Sequence, residues 1–197
     1  MFFTPLIAFM ILQPSAWIRF LSFVVFVMAA LSDLWDGYLA RKRGQITDFG
    51  KVVDPIADKL LLFATLIPLH ILTVREPALA GLPLFDTIPL WTVAVLIGRE
   101  LLITLLRLMA ARRGEVVAAR DLGKRKAVAQ NVFIGAAILW ITFRTAGFGE
   151  TGGFWAFFTD FHGWFTTVGL TIALLLTITS MALYLNTFSR IFAREFS

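Results

Sequence analysis

Five long, predominantly apolar runs, at about residues 16–39, 53–74, 87–111, 127–145 and 164–188, constrain this chain more than any other feature. A helix crosses a bilayer core of about 30 Å with roughly 20 apolar residues, so each run is long enough to be a span. A further run at 2–12 reaches only about 17 Å as a helix, too short to cross alone. It lacks the basic n-region and small-residue cleavage site of a secretory signal. The expectation is therefore an all-α, polytopic membrane helical bundle. Six transmembrane helices, the first incomplete, would form a single domain over residues 1–197.

Composition sets the exclusions. Hydrophobic residues make up 58% of the chain and charged residues only 16%, against roughly 45–50% apolar in soluble domains. Cysteine is absent, which removes disulfides, thiolate metal sites and thiol nucleophiles and leaves oxygen and nitrogen ligands. The net charge of +5 does not call for nucleic acid, because cytoplasmic loops of membrane proteins collect Lys and Arg. Arg41, Lys42, Arg43 and Lys51 follow the second span. Arg112, Arg113, Arg120, Lys124, Arg125 and Lys126 follow the fourth, and Arg190 and Arg194 the last. The opposite side holds Arg19, Arg75 and Arg144. The rich side is expected to be cytoplasmic, with both termini on it. The stretches 75–86 and 146–163, rich in Gly, Pro and Phe, read as short surface connections on the other side.

Chemistry concentrates between residues 32 and 60, SDLWDGYLARKRGQITDFGKVVDPIADKL. Asp33, Asp36, Asp54 and Asp58 fall here, with Asp48 between the pairs, in a chain with thirteen acidic residues. Carboxylates at a membrane edge are costly unless compensated, so such a cluster demands a cation or a reaction. At 100° per residue Asp33, Asp36, Gly37 and Ala40 share an arc of roughly 100°. Asp54 and Asp58 lie one turn apart, and Pro55 suits a first helical turn. Facing carboxylates suit hard divalent ions, Mg²⁺ or Mn²⁺, and two such ions roughly 3.5–4 Å apart serve phosphoryl displacement. Caps and snorkelling partners of Arg41 and Lys59 are the alternative use of these acids, but capping does not need four at these spacings. A divalent-cation transporter could also hold acids in a bundle. Its site would sit near the midplane, whereas Asp33 comes roughly 24 Å along its span, at headgroup depth.

The spacing Asp33-x2-Asp36-Gly37-x2-Ala40-Arg41-x8-Gly50-x3-Asp54-x3-Asp58 resembles, without a mismatch, the signature of the CDP-alcohol phosphatidyltransferases. The resemblance implies six membrane helices, a homodimer, and a cytoplasm-facing site where a CDP-alcohol reacts with a second alcohol and releases CMP. It implies Asp33 and Asp54 as ligands of both metals, Asp36 as a ligand of the first, and Asp58 as a ligand of the second and base for the acceptor hydroxyl. It also sets Gly37 and Arg41 against the cytidine diphosphate and Thr47 near the nucleotide.

The acceptor is not fixed by that signature: serine, inositol derivatives and a second phospholipid are used within the family. Gly98-Arg99-Glu100, Arg107, Gly123-Lys124-Arg125-Lys126 and Gln130 resemble the branch of the family whose members make phosphatidylglycerophosphate in bacterial inner membranes. The resemblance runs from about residue 29 to 130. Ala127 departs from it, standing where that branch shows threonine. It implies CDP-diacylglycerol as donor and glycerol 3-phosphate as acceptor, with Arg99, Arg107, Lys124 and Lys126 available to the acceptor phosphate. Arg99, deep in a span, must meet a carboxylate or a bound anion. Glu100, 100° round the helix, is expected to be a poor partner. Arg107 can instead snorkel to the interface. His70 and His162 read as loop-edge residues, and Gly135, Ala136 and Ala137 as helix-packing positions.

Overall fold

The computed structural model describes residues 3–43, 48–79, 81–112 and 121–193, and the side chains of these except at 3, 33–34, 36–58, 77, 111–112, 121–122 and 190–193. Six α-helices follow one another among the described residues: α1 (Phe3–Ile11), α2 (Ala16–Arg43), α3 (Asp48–Arg75), α4 (Leu90–Arg112), α5 (Asp121–Thr145) and α6 (Gly153–Ala193). Among the described residues there is no strand, only an isolated bridge between Leu82 and Asp86.

Local sequence explains the breaks. Pro14, which has no N–H to donate, separates α1 from α2, whose first bond runs from Arg19 N to Ser15 O at 3.0 Å. Pro77 follows α3, and Pro89 precedes α4, where its carbonyl accepts from the Thr92 hydroxyl at 2.7 Å. Between α5 and α6 the chain turns through Gly147 at φ 73° and Gly152 at φ 72°, which an L side chain adopts only with strain.

Packing centres on α5, whose largest interface is with α6 and which also meets α2 and α3. Phe133, Ile134, Ala137, Ile138, Trp140 and Ile141 of α5 are buried. Gly135 faces Phe23 and Phe26 of α2, and Gly169 of α6 lies against the Phe133 backbone. Small residues at these crossings let the helices approach closely, the arrangement expected of helices associating in lipid. The short α1 lies against α2 and α3 with Ile7 and Ile11 buried.

Among the described residues two helical stretches, Gly123–Thr145 and Gly153–Ser189, are long and apolar enough to cross a membrane. The first is largely buried and the second largely not. Exposed Val168, Ile172, Leu175 and Ile178 line α6, and Leu101, Leu105, Leu108 and Met109 line α4. Apolar surface this continuous belongs against lipid, so the chain is associated with a membrane.

Four expectations need correction. The stretch 146–163 is not all connection, because α6 begins at Gly153, well before residue 164. Its added turns carry Trp155 stacked on Phe148 and Phe158 edge-on to Phe143, and Gly163 leaves room for Trp140. Aromatic packing compensates for the polar Asp160 and His162 that break the hydropathy there. His70 and His162 accordingly lie within α3 and α6, bonded to the carbonyls of Ile88 at 2.7 Å and Ala136 at 3.0 Å. Pro55 stands inside α3 rather than in its first turn, since that helix starts at Asp48. Arg19 is buried within α2 instead of lying in a loop.

Candidate active site

The signature residues sit at one end of a helix pair. Asp33, Asp36, Gly37 and Arg41 are in the second half of α2, and Asp54 and Asp58 in the first half of α3. Both helices have 28 residues. At the other end of the pair, Arg19 near the start of α2 meets Glu76, just past the end of α3, at 3.3 Å. The same guanidinium donates to the Ile11 carbonyl at 3.2 Å and to the Thr145 hydroxyl. α2 and α3 are therefore antiparallel and joined at that end. At the opposite end four residues connect Arg43 to Asp48, which keeps those Cα atoms within about 19 Å. Asp36 and Asp54 each come about 10 Å from their own helix end, so the two acidic pairs occupy matching heights. The side chains of Asp33, Asp36, Gly37, Arg41, Asp54 and Asp58, and Thr47 altogether, lie outside the described residues. The donor chemistry is that of four carboxylates from two neighbouring helices, all oxygen and all anionic, which fits Mg²⁺ or Mn²⁺. Pro55 gives the Lys51 carbonyl no N–H to accept, and such a break in a membrane helix is tolerated where other donors can reach the freed carbonyl.

The basic positions are described more fully. Arg99 on α4 and Lys126 on α5 are both buried, and both bind Glu100. Arg99 Nη1 donates to Glu100 Oε1 at 2.8 Å, and Lys126 Nζ donates to the same oxygen. The expectation that Glu100 would be a poor partner for Arg99 is thus wrong. The angle between adjacent Cβ directions misled, because two long side chains can fold toward each other over their own helix, and Lys126 holds the carboxylate in place from α5. Two cations thus share one carboxylate between α4 and α5. Arg99 Nε is buried and has no hydrogen-bond partner among the described residues. Gln130, one turn further along α5, is buried as well.

Arg107 stands apart from this trio. It is exposed, with its guanidinium 5.7 Å from the centre of the Tyr184 ring on α6, a cation–π contact. Lys124, in the first turn of α5, is also exposed. The structure joins Arg99 to Lys126 through Glu100 and sets Arg107 against α6. Sequence reading missed Glu100 as the shared anchor and Tyr184 as a partner of Arg107. The only signal for the latter was a tyrosine near the basic end of the last span.

Comparison with known proteins then gives the class. The family model for CDP-alcohol phosphatidyltransferase matches residues 1–179. The chain belongs to that family and is an enzyme of that type, acting in phospholipid synthesis. Among similar proteins is the CDP-diacylglycerol–glycerol-3-phosphate 3-phosphatidyltransferase of Bacillus subtilis (strain 168). It is 42% identical over 145 residues, covering 72% of this chain and 68% of the relative. The enzyme of the same name from Salmonella choleraesuis (strain SC-B67) is 31% identical over 188 residues, 92% of this chain and 86% of its own. A probable phosphatidylglycerophosphate synthase of Mycobacterium tuberculosis (strain ATCC 25618 / H37Rv) is 39% identical over 121 residues, 61% of this chain. The match spans about half of that relative, 51%. The likeness extends well beyond the stretch 29–130 read from the sequence, and family membership decides against a cation transporter.

Proposed function

We propose that the protein transfers the phosphatidyl group of CDP-diacylglycerol to glycerol 3-phosphate, giving phosphatidylglycerophosphate and CMP. The acceptor hydroxyl attacks the phosphorus that carries the diacylglycerol, the bond to the CMP oxygen breaks, and the hydroxyl proton passes to a base. Asp33 and Asp54 would each ligate both of two Mg²⁺ or Mn²⁺ ions, Asp36 the first and Asp58 the second. Such ions, when bound, screen the diphosphate and help the leaving group carry its charge. Asp58 would also accept the proton of the acceptor hydroxyl. Gly37 would allow the diphosphate to lie close to α2, with Arg41 beside it and Thr47 near the nucleotide.

The observation that carries the choice of acceptor is the Arg99–Glu100–Lys126 trio. Two buried cations between α4 and α5, with Arg99 Nε lacking a hydrogen-bond partner among the described residues, suit a phosphate that arrives as a dianion. Serine and free inositol bring no such charge. Arg107 and Lys124, at the more exposed end, would draw the phosphate in. The names carried by the relatives point the same way. The reading also includes six membrane spans, both termini and the site on the cytoplasmic side of a bacterial inner membrane, a homodimer, and lipid around it as solvent.

Purified protein with CDP-diacylglycerol, Mg²⁺ and a panel of acceptors tests this through CMP release. Glycerol 3-phosphate should be consumed fastest. Faster use of serine or inositol would overturn the acceptor while leaving the family intact.

A further inference from the structure

Three buried side-chain polar atoms have no hydrogen-bond partner among the described residues: Arg99 Nε, Thr177 Oγ1 and Tyr184 Oη. Buried polar groups are almost always paired, and an orphan in a well-packed site usually marks water or a ligand. Threonines in these helices have an easy remedy. Thr65, Thr73, Thr142, Thr159, Thr166 and Thr171 each donate to the carbonyl four residues earlier. Thr177, 1% exposed, does not, so its hydroxyl forgoes the partner its own helix offers.

Cross-helix contacts give the heights of the orphans along the bundle. α6 runs antiparallel to α5, with His162 on the Ala136 carbonyl and Gly169 against Phe133. The Thr167 hydroxyl of α6 donates to the Pro83 carbonyl ahead of α4 at 2.9 Å, and further along both helices Arg107 meets Tyr184, so α4 runs parallel to α6. Arg107 lies over Tyr184. Arg99 comes eight residues before Arg107, and Thr177 seven before Tyr184. At about 1.5 Å per residue, Thr177 is therefore level with Arg99 to within roughly one residue. The α5 register agrees, because continuing it from Ala136–His162 and Phe133–Gly169 brings Thr177 level with the start of α5, where Lys126 lies. Thr177 and Tyr184, seven apart, share one buried stripe of α6. Helical side chains lean toward the N-terminus, which brings the Tyr184 hydroxyl back toward Thr177.

We propose that α6 forms one wall of the acceptor pocket, with the hydroxyls of Thr177 and Tyr184 binding the glycerol hydroxyls of the acceptor while Arg99 and Lys126 hold its phosphate. This rests on the glycerol 3-phosphate reading above and adds two specificity-determining residues to it. Each hydroxyl can donate and accept, which suits a polyol and does nothing for an apolar chain.

Thr177→Val and Tyr184→Phe remove the hydroxyls and almost no volume. Each variant should raise KM for glycerol 3-phosphate about tenfold, the value of one neutral hydrogen bond, and leave KM for CDP-diacylglycerol unchanged. Ligand-free thermal stability should hold or rise, because an unpaired buried polar atom has gone, and the thermal shift produced by added glycerol 3-phosphate should shrink. Unchanged KM and thermal shift in both variants, with wild-type protein active on glycerol 3-phosphate, would overturn the α6 wall alone. Loss of ligand-free stability with unchanged KM would show that the hydroxyls bind structural water, which also overturns it. Wild-type protein that does not use glycerol 3-phosphate would instead overturn the acceptor reading.

Discussion

Asp54 and Glu100 are assigned different roles, and amide substitution separates them. Asp54→Asn keeps the size of the side chain but removes a ligand proposed to be shared by both ions. CMP release at saturating Mg²⁺ should fall below a tenth of wild type, with thermal unfolding little changed; activity above that level would remove the shared-ligand assignment. Glu100→Gln should behave differently. It leaves Arg99 and Lys126 buried without their common counter-charge, a loss of roughly 3 kcal/mol by the usual cost of breaking a buried pair. A lowered unfolding midpoint in detergent checks this, and saturating phosphate should restore part of the loss by supplying another anion.

Among the elements, α5 and α6 carry most of the packing, and their approach depends on Gly169. A Cβ there would meet the Phe133 backbone at 3.6 Å, an ordinary contact, but anything larger must push the helices apart. Gly169→Ala should be nearly neutral, and Gly169→Leu should destabilise by about 1–3 kcal/mol, the range for overpacking. Unfolding of the two variants side by side measures the difference. The α2–α3 pair depends on a different device, the buried Arg19 that ties Glu76, Ile11 and Thr145 together at the end away from the aspartates. Arg19 thus ties one end of the pair together, while four residues of chain join the other.

For the whole molecule, sidedness is the testable property, and the absence of native cysteine makes it accessible. Leu84, highly exposed at the tip of the turn before α4, and Lys124 at the start of α5 mark opposite ends of the bundle. In right-side-out membrane vesicles an impermeant maleimide should label Leu84→Cys and spare Lys124→Cys, with the pattern reversed in inverted vesicles. Labelling of both from one side would refute the six-span topology.

Hydropathy alone was enough for the number of long helices and most of their extents, because lipid rewards continuous apolar runs regardless of what each helix packs against. The aspartate spacing was equally legible, since residues within one or two helical turns have positions fixed by local geometry. The sequence could not show where α6 begins: its first turns are held by Phe143, Phe148 and Trp140 from other elements, which offset the polar residues that look like a loop. Nor could it pair Glu100 with Lys126 or set Tyr184 under Arg107. Those contacts join residues 26 and 77 positions apart, and only the mutual register of α4, α5 and α6 brings them together. Local periodicity determined which residues share a face; tertiary packing alone decided which faces meet, because side chains on different helices become neighbours only once the cores between them have interlocked.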